Sequence, residues 1–206
     1  EIYTLSLLDA LPISISPELR ALAEFDRAWL DVRSASNDEL ITRLDRVATR
    51  TLDVDLRARA EVFRGALHLR SGRFEMARED FAASLGAAES SLLRGLASLG
   101  NAWALASQDR LEAAAISLEA GAIWIDGAAN VSGRSPWSLV PLLPEEEATL
   151  EALLWLGRLA VARERGDRAR ELELLESTER FSFAQPPSFL VPWIEQERAR
   201  RVHAAE

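Results

Sequence analysis

The chain has 206 residues, enough for one or two domains, and its hydrophobic fraction of 48% provides for a sizeable core. Its net charge is −9 at pH 7, and it has no cysteine and two histidines. This composition excludes disulfides, cysteine-ligated zinc or iron–sulfur sites, and a zinc motif built on several histidines. The acidic charge also argues against nucleic-acid binding, which needs a basic surface. We therefore expect no cofactor, no metal and no direct contact with nucleic acid.

The 24 basic residues are all arginine, which excludes a Schiff-base lysine and the lysine of a phosphate-binding loop. The sequence also has no glycine-rich phosphate loop and no serine nucleophile motif. Its run of three carboxylates, Glu145 to Glu147, falls where the positive end of a helix dipole favours acidic residues. We predict that the chain is not an enzyme. Because arginine and alanine are abundant and lysine is absent, we expect a protein from a GC-rich bacterial genome. For a stand-alone scaffold we expect a cytoplasmic location.

The first residues, EIYTLSLLDALPIS (1–14), are partly apolar but do not fit a secretory signal. No Lys or Arg precedes Arg20, Asp9 interrupts the apolar run, and the run is far shorter than the roughly 20 residues that span a bilayer. Residues 4–14 resemble TLSLHDALPIS, the translation of a common sequencing adapter, with Leu8 in place of histidine. We expect residues 1–14 to be a non-native artefact, so that the true N-terminus is missing; the alternative is a genuine N-terminal arm.

From residue 15 to residue 126 almost every segment has the spacing of apolar residues that is typical of helices. The first helix begins at SPELR, with Ser16 as its cap and Pro17 in the first helical position. The second follows with Asn37 as its cap, since this asparagine precedes an apolar stripe. Four further helices are predicted at about 56–70, 73–86, 91–107 and 110–125.

Residues 127–144, GAANVSGRSPWSLVPLLP, are predicted to be a loop because glycine, serine and proline recur in them. The segment also carries several aliphatic residues, so we expect it to pack against a core. C-terminal helices follow over 145–206, interrupted by a second aromatic and proline-rich segment at 181–193. With Trp137 and Trp193, the two segments either form an exposed docking patch or cover the ends of the helical array.

The fourth and sixth predicted helices align without gaps at a period of 37 residues. Ala77 matches Ala114, and Phe81 matches Leu118. A small residue of the preceding helix lies twelve positions before each of the two alanines. Small residues let neighbouring helices approach closely, and the large residue fills the groove between them. The pattern therefore predicts an internal repeat of helix pairs.

The first copy resembles the tetratricopeptide repeat (TPR) family, with Gly65, Gly72, Ala77 and Phe81 at the positions of the family's small and aromatic residues. The second copy keeps small and large residues but has Asp109 at the turn, and its period is three residues longer than is usual in the family. The resemblance is carried by about 70 residues.

A third copy is weaker, because Gly157 and Ala169 have the twelve-residue spacing but Glu173 stands where the aromatic residue is expected. The resemblance implies an all-α fold in which antiparallel helix hairpins stack as a short TPR-like α-solenoid. Its two repeats lie at about 56–86 and 91–125. The alternative is a helical bundle without repeats.

Proteins of the TPR family usually act as scaffolds that hold a peptide or helix of a partner in a concave groove, lined by the first helix of each hairpin. The resemblance therefore implies a non-catalytic protein-interaction scaffold, with a protein or peptide as partner and no membrane contact. An alternative is that the chain belongs to a larger bacterial regulator, a transcription activator or signalling ATPase, whose effector domain lies outside it. Trp103 is the best single candidate for a contact residue, because buried aromatic residues often anchor interfaces; the alternative is that it belongs to the core. The groove residues that the resemblance implies are Arg59, Val62, Ala66, Leu69, Leu96, Leu99, Trp103 and Ala106.

Overall fold

The structure is a computed structural model, and it describes residues 16–132 and 136–177 together with residues 190, 191 and 193. The adapter-like stretch at the N-terminus lies outside the described residues. So does most of the C-terminal segment that was predicted to follow residue 177.

The described residues form eight α-helices and two short 3-10 helices and contain no β-strand, so the all-α prediction is confirmed. No helix in this part of the chain is both long and apolar enough to cross a membrane. The 3-10 helices cover Asp31–Arg33 and Pro136–Leu139. The α-helices are α1 (Pro17–Leu30), α2 (Asn37–Arg50), α3 (Val54–Arg70), α4 (Phe74–Ala87), α5 (Ser91–Ala106), α6 (Leu111–Ser132), α7 (Pro144–Glu164) and α8 (Arg168–Ser177).

Polar side chains define where the first helices begin. Ser16 caps α1 as predicted, because its Oγ accepts a hydrogen bond from Leu19 N at 3.2 Å. In α2 the cap is Ser36 and not the predicted Asn37, which is already helical. Ser36 Oγ accepts a hydrogen bond from Glu39 N at 3.3 Å. The start of α2 was therefore placed one residue too late.

The loop prediction for residues 127–144 is wrong over its first part, because α6 extends into it as far as Ser132. A single glycine in a helix costs only about 1 kcal/mol relative to alanine, and two alanines follow Gly127. Part of the remainder forms the second 3-10 helix, so residues 140–143 are the described positions without helical structure. The helix start predicted at Pro144 is confirmed.

Each helix packs against the next one along the chain, from α1 to α8. Within the described residues, helices that are not consecutive also pack together, notably α3 with α5 and α5 with α7. Helix α5 therefore has neighbours on several sides, and its leucine and alanine residues are buried almost throughout. The core runs along this series from Ala21 in α1 to Leu175 in α8.

Three pairs of helices are joined by turns of the same geometry. Gly72 joins α3 to α4, Asp109 joins α5 to α6 and Gly166 joins α7 to α8, with φ angles of 67°, 60° and 67°. Glycine enters this left-handed region without steric cost, and aspartate is among the few other residues that tolerate it. The predicted equivalence of Gly72 and Asp109 is thus confirmed. In each turn the next residue donates its N–H to a carbonyl five residues earlier: Arg73 to His68, Arg110 to Leu105 and Asp167 to Ala162.

The turn at Gly166 corrects the register of the weaker third copy. When Gly166 is matched with Gly72, the residue in the place of Phe81 is Leu175, which is 2% exposed. The sequence comparison began from Gly157 and put the exposed Glu173 in that place. That alignment is out of register by two residues. Gly157 lies at a contact between helices, whereas Gly166 forms the turn that corresponds to Gly72.

Glycines of one helix pair lie in close contact with a ring or with the backbone of the preceding pair. The Phe81 ring of α4 lies between Gly65 of α3 and Gly100 of α5, where an added Cβ would be 2.8 Å and 2.4 Å from ring atoms. One period later Leu118 of α6 packs against Gly157 of α7, where a Cβ would lie 2.3 Å from the Leu118 carbonyl oxygen. The glycines therefore allow these helices to approach more closely than any larger residue would.

Candidate binding groove

A groove runs between α3 and α5, which are the first helices of two neighbouring pairs. Its walls are apolar, and part of its floor is the aromatic ring that α4 inserts between the two helices. This is the surface on which the sequence analysis expected a partner. The residues of α3, α4 and α5 that line it are Val62, Ala66, Leu69, Phe81, Leu96, Gly100 and Trp103.

The groove is occupied by the chain itself. Residues 139–143, LVPLL, lead into α7, and we call them the strap. Val140 and Leu142 line the same pocket as the groove residues; Val140 is 1% exposed and Pro141 is also buried. Fully burying one aliphatic side chain contributes about 1.5–3 kcal/mol, so the strap is held by several kcal/mol of apolar contact.

Two arginines of α3 hold the backbone of the strap. Arg59 Nε donates a hydrogen bond to the Leu139 carbonyl oxygen at 3.3 Å, and Arg70 Nη2 donates one to the Pro141 carbonyl oxygen at 3.0 Å. The Arg59 guanidinium also lies 4.8 Å from the centroid of the Phe25 ring. The strap therefore runs along α3 towards its C-terminal end. Because both bonds go to main-chain oxygens, they recognise the path of the segment and not its side chains.

The first turn of α7 is tied to α3 by an ion pair. Arg70 Nη2 donates to Glu146 Oε2 at 2.6 Å, and Arg70 Nε donates to Glu146 Oε1. The two side chains are only 11% and 7% exposed. Glu146 Oε2 also accepts a hydrogen bond from Leu143 N at 2.8 Å. Glu146 therefore orients Arg70 towards the strap and fixes the last strap residue.

Little space is left once the strap is in place. The unfilled volume in the groove is about 20 Å³, which is room for about one water molecule. A second segment can therefore enter only where the strap leaves.

Most of the predicted site residues lie around this groove. Val62, Leu69, Leu96 and Trp103 line it together with Ala66, and Arg59 binds the strap at one end. Two further predicted residues, Leu99 and Ala106, lie away from the groove. Leu99 is fully buried against α6, where a Cβ on Gly121 would lie 2.8 Å from Leu99 Cδ2. Ala106 belongs to a separate small apolar cluster with Leu105 and Ala114.

The sequence analysis predicted Arg59 but missed two other charged residues that hold the strap, Arg70 and Glu146. Arg70 is the last residue of α3, and Glu146 lies in the first turn of α7, where charges of these signs are explained by the helix dipole. The two residues are 76 positions apart, and nothing in the sequence connects them. The available signal was the proline-flanked aliphatic run of the strap, which was expected to pack against a core but not in this groove.

The aromatic candidates have different positions. Trp103 is partly buried and lines the groove. Trp193 packs against the buried cluster that Leu105 and Ala106 of α5 form with Ala114 of α6, and Leu190 is fully buried. At Trp193 the chain thus covers apolar helix surface. The side chain of Trp137 lies outside the described residues.

A cluster of titratable side chains lies between α3 and α4. Arg64 donates to Asp80 Oδ1 from Nε at 2.9 Å and from Nη2 at 2.5 Å, and His68 Nε2 lies 3.6 Å from Asp80 Oδ2. Burial raises the pKa of Asp80, which the bond to Arg64 partly offsets, and burial also raises the pKa of Glu61. Burial lowers the pKa of His68. Glu61, His68 and Asp80 are less than 10% exposed, so we assign the cluster to the stability of this helix pair.

Within the described parts of the chain, His, Asp and Glu side chains form no group of three that could hold a metal ion. Comparison with protein-family models, with curated proteins and with solved structures finds no match to this chain. The function is therefore argued from the groove.

Proposed function

We propose that the chain is a non-catalytic protein-interaction scaffold built as a short TPR-like α-solenoid. Three helix pairs with the same left-handed turn support the proposal. The contacts of Phe81 with Gly100 and of Leu118 with Gly157 recur between successive pairs. Contacts from α3 to α5 and from α5 to α7 are those expected when pairs stack with their first helices side by side. A bundle without repeats has no reason to reproduce these positions.

The partner surface is the groove between α3 and α5. The observation that carries the proposal is that a short non-helical segment already lies there. Its Val140 side chain is buried, its Leu142 side chain is partly buried, and two of its carbonyl oxygens are bound by arginines. A groove that holds one such segment has the shape and the donors to hold a segment of a partner protein. We therefore propose a protein or peptide partner, bound through a short stretch of irregular backbone.

Selection from a displayed library of random 12-residue peptides tests this proposal. The library is selected on the wild-type chain and on a Val140→Ser/Leu142→Ser variant, in which the strap is weakened. Peptides that bind the groove should lose at least about fivefold in affinity on Trp103→Ala, since truncating an anchoring aromatic side chain costs more than about 1 kcal/mol of binding free energy. The loss is measured by fluorescence polarisation.

Met76→Ala is the matched control, because Met76 is an apolar residue of α4 that is 48% exposed and does not line the groove. This variant should bind the selected peptides with unchanged affinity. Circular dichroism should show that both variants keep their helical signal. The proposal fails if neither protein yields a peptide whose binding depends on Trp103.

A further inference from the structure

We infer that the strap is a built-in competitor of the partner, and that the partner binds through an aliphatic–proline–aliphatic segment of the same chemistry as Val140-Pro141-Leu142. The inference rests on the proposed function of the groove and specifies its ligand and its regulation.

The side chains of the groove select two aliphatic residues that are separated by one position. Val140 and Leu142 line a pocket whose other walls are aliphatic or aromatic apart from Glu146. In extended backbone alternate residues project to the same side, and the strap places both Val140 and Leu142 against one apolar surface. A charged residue at either position would be buried without a partner, which would exclude such segments.

Proline suits the position between the two aliphatic residues. The contacts that α3 makes with the strap go to the carbonyl oxygens of Leu139 and Pro141, and neither needs an N–H at position 141. The proline ring also limits the backbone freedom of an unbound segment, which lowers the entropy cost of binding. Glu146 belongs to α7, so it can remain on Arg70 and keep the guanidinium directed at the position of the second carbonyl.

The same three residues recur elsewhere in the chain. Leu-Val-Pro stands at 139–141 and again at 190–192. In the second copy Leu190 is fully buried in the core, and Trp193 beside it packs against α5 and α6. This second segment therefore packs on the same helical array but outside the groove, and Trp193 stands in it at the position of Leu142.

The strap controls access because it is part of the chain. A tethered segment acts at an effective concentration of about 1 mM. Only molecules whose strap is displaced can bind a partner. The apparent dissociation constant therefore equals the intrinsic one divided by the fraction of molecules in which the strap is displaced. A free copy of the segment with an intrinsic dissociation constant of about 10 μM would therefore bind the wild-type chain roughly a hundredfold more weakly. A partner must therefore bind the groove more tightly than a free copy of the strap does, or be tethered near it.

The test uses a labelled synthetic peptide of residues 136–147, PWSLVPLLPEEE, titrated against the full chain. The Val140→Ser/Leu142→Ser protein should bind this peptide at least about tenfold more tightly than the wild type does. A peptide with serine at the same two positions should bind neither protein. Adding Arg59→Ala to the strap variant should weaken binding again, which shows that the peptide lies where the strap lay. Circular dichroism verifies the fold of each protein.

The inference is overturned if the folded strap variant binds the peptide no more tightly than the wild type. Pro141→Gly serves as a second variant in case the double substitution unfolds the chain, because it keeps both aliphatic side chains and only frees the backbone of the strap. It should tighten peptide binding several-fold, and an unchanged affinity would equally refute the inference. Library peptides that bind through Trp103, combined with no binding of the strap peptide, would refute the inference and leave the proposed function intact. Absence of any groove-dependent peptide would remove both.

Discussion

Replacing Gly100 by alanine puts a methyl group into the space that the Phe81 ring occupies. The added Cβ would lie 2.4, 2.5 and 2.8 Å from three atoms of the ring. The ring cannot simply move away, because Gly65 lies on its other side, where even a Cβ would be 2.8 Å from a ring atom, and Phe81 is only 2% exposed. The helices α3 and α5 must therefore separate, or the ring must leave its position.

Two opposing effects determine the magnitude. Overpacking of a well-packed core costs about 1–3 kcal/mol, and three short contacts on an enclosed ring favour the upper part of this range. Alanine is about 1 kcal/mol more favourable than glycine inside a helix, which offsets part of that cost. We expect Gly100→Ala to lower the free energy of unfolding by about 1–2 kcal/mol. For a chain of this size the corresponding decrease in Tm is roughly 2–8 °C.

The assay is urea denaturation followed by circular dichroism, with Gly127→Ala as the control. Gly127 lies inside α6 with no atom within 4 Å of an added Cβ, so the same substitution should stabilise the protein by up to about 1 kcal/mol. Phe81→Leu should reduce the penalty of Gly100→Ala, because leucine occupies the equivalent place at Leu118. If Gly100→Ala stabilised the chain as much as Gly127→Ala does, the ring would not be confined as we argue.

Three further predictions concern stability. Gly157→Ala should lower the free energy of unfolding by about 3 kcal/mol or more in the same urea denaturation. Its methyl group would meet the backbone of Leu118, which cannot rotate away as a side chain can. A loss as small as that of Gly100→Ala would argue against this contact. Glu61→Gln should be more stable than the wild type at pH 7 by on the order of 1 kcal/mol and equal to it below about pH 4. Burial raises the pKa of Glu61 above its ordinary 4.5. The neutral carboxyl group therefore contributes its full stability below that pH, and this contribution is lost as the pH rises through the pKa of the folded state. A stability gain of Glu61→Gln that did not change with pH would contradict this cause. Ser36→Ala should lower the free energy of unfolding by about 1 kcal/mol, and Asn37→Ala should lower it by less, as measured by thermal denaturation. A larger loss for Asn37→Ala than for Ser36→Ala would identify Asn37 as the cap.

Local signals in the sequence were sufficient for most of the helices. Apolar residues at spacings of three and four marked the helical faces, and Ser16 and Pro144 marked two of the starts. The turn at Asp109 was also predictable, because its equivalence with Gly72 follows from the repeat. The errors were local as well. The cap of α2 is Ser36 and not the adjacent Asn37. The predicted loop begins at Gly127, but α6 continues through this glycine because the alanines around it favour a helix.

The face of a helix that is buried follows from periodicity, but the neighbour that buries it does not. Leu96 and Leu99 are both apolar residues of α5, but in the folded chain Leu96 lines the groove and Leu99 packs against α6. The repeat predicted a groove between α3 and α5, and only the tertiary structure shows that the strap fills it. Helix formation and capping depend on residues within about four positions of one another, so a sequence displays their signals directly. The pairing of Arg70 with Glu146 depends on the path of 75 intervening residues, and it is decided only when all the helices have packed.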